Sequence, residues 1–192
     1  MATLNDDIKV NNYAKFKHYL NNLVGEDVAD KLVQIVGGED ILMNTSFGMN
    51  EESHTAYDGA LIKISLEIAD YASKLNNLLP EDIRVPNSVI YKVALLHHIG
   101  KAVMYVKNDN DWEIKNRGIY YKFKSNEIPL RCGERSILLT MSAGVKFTDE
   151  EFEAMRVVDK ISEGDTAIRW YGSTLSMLIR QANEIITLVE KK

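Results

Sequence analysis

The chain has 192 residues, a formal net charge of −5 and 45% apolar residues. This length suits one domain of ordinary size, and the apolar content is too high for wholesale disorder. No apolar run approaches the roughly 18 residues of a membrane span, and a single cysteine, Cys132, excludes an internal disulfide framework. Residues 1–7 lack the basic and apolar segments of a secretory signal, so we expect a soluble, cytoplasmic protein outside any membrane.

Charge is distributed unevenly along the chain. Residues 1–96 carry a net charge of −6, whereas residues 101–135 carry +3. Binding to duplex nucleic acid needs many phosphate contacts, so an acidic chain with one mildly basic segment is a poor candidate for it. The basic segment is compatible with a small anionic ligand, and also with ordinary solvated surface charge.

Apolar residues at a spacing of three to four predict helices through most of the chain. The predicted helices cover residues 11–24, 26–36, 57–79, 89–96, 133–145, 148–158 and 174–189. Gly37-Gly38 and Pro80 each follow a predicted helix and stop it. Thr148 and Glu151 form a capping-box pattern that opens another. The polar segment 44–55 predicts a loop.

Residues 103–124 differ in composition from the helical remainder. Two stretches rich in β-branched and aromatic residues, 103–106 and 119–123, flank turn-forming residues at 108–111 and 116–118. This pattern predicts a small antiparallel hairpin. The fold class that follows is an all-α bundle with a small β-hairpin insertion at about 103–124.

A pair of histidines, His97 and His98, directly follows the strongly apolar helix 89–96, and Gly100-Lys101 come next. Imidazole is unfavourable in a core unless its nitrogens have partners. The residues alone leave two readings open, a polar pocket and a structurally satisfied pair.

The segment Ala94–Lys101, ALLHHIGK, resembles the ALLHDIGK signature of the HD-domain metal-dependent phosphohydrolases, with His98 in place of aspartate. Further segments resemble that family in the same order: HTAYDGAL at 54–61, CGERS at 132–136, TDEEFEAMR at 148–156 and the late helix at 178–183. The resemblance covers about residues 44–190. It implies an HD-domain-like helical bundle in a single domain, 1–192, with residues 1–43 as additional N-terminal helices.

The resemblance also implies six metal-ligand positions, of which only His97 keeps the family's residue. His98 and Cys132 replace an aspartate and a histidine, and Ile64, Val158 and Asn183 occupy the other three positions. Hard divalent ions prefer carboxylate oxygens, which these positions lack. We expect no cofactor; the alternative is one zinc ion held by His97, His98 and Cys132, since zinc accepts nitrogen and sulfur ligands.

Other residues match family positions near the substrate: His54, Lys101, Glu134, Arg135 and Arg156. The cations among them would hold a phosphate through charge-assisted hydrogen bonds. The alternative is a filled pocket, in which Glu134 pairs with Arg156 and Ile64 and Val158 occupy the cavity. Cys132, which lies near Arg131 and Arg135, is either a thiol of lowered pKa or an ordinary cysteine that replaces a lost ligand.

Three functional hypotheses follow from these patterns. The first is a catalytically degenerate HD homologue that binds a nucleotide-like phosphate ligand or a protein partner, because water without a metal is a weak nucleophile at neutral pH. The second is a working phosphohydrolase with an altered metal site, in which His97 and His98 are the catalytic candidates. The third is a structural or assembly subunit. Homo-oligomerisation stays open under each of them.

Overall fold

Helices make up most of the chain, as the apolar periodicity predicts. The structure is a computed structural model, and it describes residues 4–125, 128–156 and 172–189. The helices are α1 (Asp6–Val24), α2 (Glu26–Ile35), α3 (Glu39–Asn44), α4 (Ala60–Asn77), α5 (Asn87–Leu96), α6 (Lys101–Met104), α7 (Asp111–Arg117), α8 (Cys132–Ala143), α9 (Asp149–Arg156) and α10 (Thr174–Glu184). A short 3₁₀ turn spans Glu81–Ile83, and a π-helix, Ile185–Val189, extends α10.

The N-terminal helices depart from the sequence prediction at two points. The first helix begins at Asp6 rather than near residue 11, because the side chain of Asn5 accepts a hydrogen bond from the Asp7 amide and caps it. The short helix α3 was not predicted. It follows Gly38, whose φ of 98° lets the chain reverse immediately after α2.

Helices α4 and α5 form the centre of the bundle. Ile68 and Ala72 of α4 and Ile90 and Leu95 of α5 are all buried, and α1, α9 and α10 pack around this pair. The prediction of a nearly all-apolar central helix at 89–96 is confirmed, since five of these eight residues are buried and none is exposed. This packing fixes the end of α5, which carries the histidine pair.

The predicted antiparallel hairpin is present in a modified form. Strands β1 (Tyr105–Lys107) and β2 (Tyr121–Phe123) pair antiparallel, with Tyr105 opposite Phe123. The connection between them contains helix α7 instead of a plain turn. The side chain of Asn110 accepts hydrogen bonds from the amides of Trp112 and Glu113, so a residue predicted as a turn former caps a helix.

The C-terminal helices follow the prediction closely. The capping box of α9 is formed, because the Thr148 amide donates to Glu151 Oε2 at 2.8 Å and the Glu151 amide donates to Thr148 Oγ1 at 3.3 Å. The predicted continuation of this helix to Val158 lies outside the described residues. Across the described helices, none combines the length and apolar character needed to cross a membrane.

Candidate functional site

The histidine pair sits where α5 ends and α8 packs against the following turn. The His97 amide donates to the Val93 carbonyl at 2.9 Å, and the chain then turns through Gly100, whose amide donates to Ser136 Oγ of α8 at 2.9 Å. A Cβ atom at Gly100 would lie 3.0 Å from the Cys132 carbonyl oxygen and from Arg135 Cβ. Glycine therefore permits the close approach that brings the first residue of α8 beside His98.

His97 is fully buried and has one satisfied ring nitrogen. Its Nδ1–H donates to the Ala94 carbonyl at 2.7 Å, which leaves Nε2 as the acceptor. Among the described residues Nε2 has no hydrogen-bond partner. Burial, with a smaller contribution from the charge of Lys101, lowers the pKa of His97 to about 3, so its imidazole is neutral at physiological pH.

His98 joins three elements of the bundle. Its Nε2 lies 3.4 Å from Asn183 Oδ1 of α10, and its Nδ1 lies 3.5 Å from Cys132 Sγ of α8. Its ring packs edge-on to Phe47, with the centroids 4.6 Å apart, and lies 4.1 Å from the ring of His97. Burial, followed by the charges of Lys101 and His97, holds the pKa of His98 well below its ordinary value. Three of the six predicted ligand positions, His97, Cys132 and Asn183, therefore contact a fourth, His98.

Lys101 lies inside the bundle rather than at a solvent-facing rim. Its Nζ donates to the Phe47 carbonyl at 2.8 Å and lies 3.4 Å from the centroid of the Phe47 ring, which is a close cation–π contact. Lys101 is buried, at 7% exposure. The ammonium group orders the loop around Phe47, and its charge disfavours protonation of both neighbouring histidines.

His54 connects the loop before α4 to the C-terminal end of the chain. Its Nε2–H donates to the Ile186 carbonyl, which belongs to the π-helix, at 3.0 Å. Its Nδ1 is buried and has no partner among the described residues. His54 therefore joins two elements that border the histidine pair, and its predicted part in ligand binding stays a prediction.

The remaining predicted residues lie around α8, in two separate cavities. Glu134 accepts the Arg131 amide at 2.9 Å and lines a cavity of about 640 Å³ together with Arg156. Arg135 donates to the Ile128 carbonyl at 2.9 Å and lines a different cavity, of about 350 Å³. The described part of the chain contains no ion pair between Glu134 and Arg156, so the alternative in which those two residues stabilise the bundle as a pair is wrong.

Among the described residues, the predicted zinc ligands do not form a metal site. Ile64 is buried in the apolar core at 2% exposure and offers no ligand atom, and Val158 lies outside the described residues. Within residues 4–125, 128–156 and 172–189, no three His, Cys, Asp or Glu side chains converge closely enough to hold an ion. A catalytic zinc site needs three protein ligands, and the described residues do not bring three together.

Sequence reasoning missed two features of this region. Lys124 joins Arg131 and Arg135 around the smaller cavity, although it follows strand β2 whereas the two arginines lie at the start of α8. Asp58 is buried, and it accepts hydrogen bonds from Tyr121 Oη at 2.7 Å and Lys107 Nζ at 2.6 Å. This contact ties the strand pair to the start of α4, and nothing in the local sequence indicates it.

In comparisons with known proteins, no family model, no curated protein and no solved structure matches this chain. The resemblance to the HD-domain phosphohydrolases accordingly stays a prediction.

Proposed function

We propose that this chain is a catalytically degenerate HD-domain homologue that binds a nucleotide-like phosphate ligand rather than hydrolysing it. The cavity next to α8 carries this proposal. Three cationic side chains, Lys124, Arg131 and Arg135, line one space of about 350 Å³, and none of the described residues that line it is acidic. Guanidinium groups bind phosphate oxygens through short, charge-assisted hydrogen bonds, so this lining favours a phosphate-bearing ligand.

The rest of the cavity wall suits the non-phosphate part of such a ligand. It is formed by apolar side chains, namely Met104, Phe123, Ile128, Pro129 and Leu130. Phe123 is 56% exposed, so its ring face is accessible for stacking against a base or another planar group. The N-terminal end of the twelve-residue helix α8 begins at Cys132, directly after Arg131, and its partial positive charge adds to the attraction for an anion.

The altered ligand positions support binding without metal-dependent hydrolysis. Ile64 contributes only hydrocarbon, and Asn183 and Cys132 are both in contact with His98. Metal coordination lowers the pKa of water from 15.7 to about 7, and without it water is a weak nucleophile at neutral pH. We therefore expect bound nucleotides to remain intact.

Titration calorimetry with inorganic pyrophosphate and ADP tests this proposal. Lys124→Ala removes an exposed cation from the cavity, and Arg135→Lys keeps the charge while removing the guanidinium fork. We expect each change to weaken binding about tenfold or more, since a hydrogen bond to a charged group contributes roughly 1.5–3 kcal/mol. Arg117→Ala, at the exposed end of α7, is the matched control and should bind like the parent chain.

Two outcomes would contradict the proposal. One is the absence of heat at millimolar pyrophosphate and ADP, or equal affinity in the parent and both cavity variants. The other is turnover of ADP in the presence of Mg²⁺, Mn²⁺ or Zn²⁺ that disappears in His97→Ala, because it would restore the phosphohydrolase hypothesis.

One observation favours a protein partner as a second candidate. Leu138, Met141 and Phe152 border the larger cavity and are 40–55% exposed, which leaves an apolar patch between α8 and α9. Met141→Glu should abolish binding of a protein to this patch, and it should leave the Kd for pyrophosphate unchanged. Co-purification that survives this substitution would count against the patch.

A further inference from the structure

An open groove runs between helices α8 and α9 on the surface of the bundle. It has a volume of about 640 Å³, and we call it the α8–α9 groove. Its lining consists of Glu134, Ile137, Leu138, Met141, Ser142, Phe152 and Arg156. The two helices contact each other and are joined by the short segment 144–148, so they run antiparallel. The first turn of α8 and the last turn of α9 therefore lie at the same end of the groove.

Exposed apolar side chains follow both walls of the groove. Leu138 and Met141 of α8 are 50% and 55% exposed, and Phe152 of α9 is 40% exposed. Together with the exposed Glu134, the two α8 residues are spaced by four and three positions, so they share one helix face. Helix faces that carry apolar residues at this spacing are normally packed against another element. The groove is therefore a surface of the kind that helix packing covers.

One acidic and one basic side chain complete the groove. Glu134 lies in the first turn of α8 and Arg156 is the last residue of α9, and both are exposed. Glu134 Oε2 accepts the Arg131 amide at 2.9 Å. Within the described ranges, neither Glu134 nor Arg156 forms an ion pair with the other or with a third residue. Opposite charges thus occupy opposite walls at one end of the groove without neutralising each other.

A second copy of this chain matches this distribution of charge. A two-fold axis that runs along the groove sets α8 of one copy against α9 of the other, so each Glu134 faces Arg156 of the second copy. The apolar residues of α8 then face Phe152 of the second copy, and the four helices form an antiparallel bundle. An axis across the groove would set each helix against its own copy, so neither charge would meet its opposite. Charge complementarity therefore selects the first arrangement.

We propose that the α8–α9 groove is the interface of a symmetric homodimer, closed at one end by two Glu134–Arg156 ion pairs between the copies. Most soluble homo-oligomers are two-fold dimers in which one patch meets itself. An apolar centre with a charged rim is the usual composition of such an interface. This inference rests on the protein-partner candidate given above and names its partner as a second copy. It is independent of the phosphate-binding cavity, because the two cavities share no lining residue.

Sedimentation equilibrium of the full chain tests the apolar part of this interface. We expect the parent chain to be a dimer at high micromolar concentration. Met141→Glu should weaken the dimer about tenfold or more, because it places a charge where apolar side chains meet. The matched control is Leu78→Glu, which makes the same kind of change at a side chain that is 81% exposed at the end of α4. That variant should dimerise like the parent.

Charge reversal tests the predicted pairing. Glu134→Arg and Arg156→Glu should each weaken the homodimer about tenfold or more, because each sets like charges against each other twice. A mixture of these two variants should associate about as tightly as the parent, since the mixed dimer regains an opposite charge at both positions. Glu52→Arg, a reversal at an exposed residue in the loop before α4, should dimerise like the parent.

Circular dichroism shows whether each variant folds. If Glu134→Arg does not fold, Glu134→Gln keeps an oxygen for the Arg131 amide and should weaken the dimer about threefold or more. The proposal is overturned if the parent is a monomer at every concentration, including one that retains a different protein on the groove. It is also overturned if Met141→Glu leaves the dimer unchanged, or if the mixed variants associate no better than either alone.

Pyrophosphate titration of the same samples separates this proposal from the phosphate-binding one. A dimeric parent that does not bind pyrophosphate contradicts the phosphate-binding proposal alone. A monomeric parent that binds pyrophosphate contradicts the dimer alone.

Discussion

Acid should destabilise this protein through His97 before most of its carboxylates are protonated. The folded state holds the pKa of His97 near 3, whereas an unfolded chain returns it to about 6.5. The folded state therefore binds fewer protons than the unfolded state between these values. The stabilisation is complete above the unfolded pKa and is lost as the pH falls through this window.

The size of the effect follows from that difference. Between the two pKa values, each unit by which the pH falls lowers the free energy of unfolding by about 1.4 kcal/mol. Lowering the pH from 7 to 5 should therefore remove about 2 kcal/mol of stability through His97 alone. His98 contributes with the same sign, because its pKa is also lowered by burial. A loss of this size is a substantial part of the stability of a typical domain, roughly 5–15 kcal/mol.

Urea denaturation at pH 7, 6 and 5 measures this loss as a fall in the free energy of unfolding. His97→Gln should be less stable than the parent at pH 7, because it loses the bond to the Ala94 carbonyl, but it should show a shallower pH dependence. His18→Gln, which removes an exposed histidine, should keep the parental slope. A parental stability that does not change between pH 7 and 5, or an identical slope in His97→Gln, would refute this reasoning.

Two further changes probe the scaffold by urea denaturation. Lys92→Met should lower the free energy of unfolding by about 3 kcal/mol, because Lys92 Nζ lies 2.9 Å from both oxygens of Glu151, which is nearly buried and would be left unpaired. Lys63→Met, in a more exposed pair, should lower it by less than about 1 kcal/mol, and equal losses in the two variants would contradict this ranking. Gly118→Ala should cost more than about 1 kcal/mol, because φ is 59° and a Cβ would lie 2.7 Å from the Glu51 side chain; an unchanged midpoint would contradict it.

Local physics accounts for the parts of the fold that the sequence predicts well. Helix α4 was predicted over 57–79 and spans Ala60–Asn77, because its apolar stripe repeats at the helical period and Pro80 stops it. The capping box at Thr148 and Glu151 is equally local. Helix α7 was missed because asparagine is favoured both in turns and at helix N-caps. The same residues are therefore compatible with a turn and with the start of a helix.

The candidate site is less predictable, because its contacts join residues far apart in the chain. The sequence singled out His97, His98 and Cys132 through a family resemblance, yet the contact of His98 with Asn183 spans 85 positions. The position of Lys124 beside Arg131 and Arg135 likewise depends on where the segment before α8 passes β2. Neither arrangement has a period or a spacing that a linear pattern could reveal.

The amino-acid order by itself determined the helical class, the buried character of α5 and the histidine pair at its end, because backbone preference and apolar periodicity act over a few residues. Tertiary packing decided which polar groups those histidines meet. Gly100 lets α8 approach the turn closely enough to set a thiol beside one imidazole, while burial removes the other from solvent. Proximity and desolvation are properties of the assembled core, and they give these side chains their chemistry.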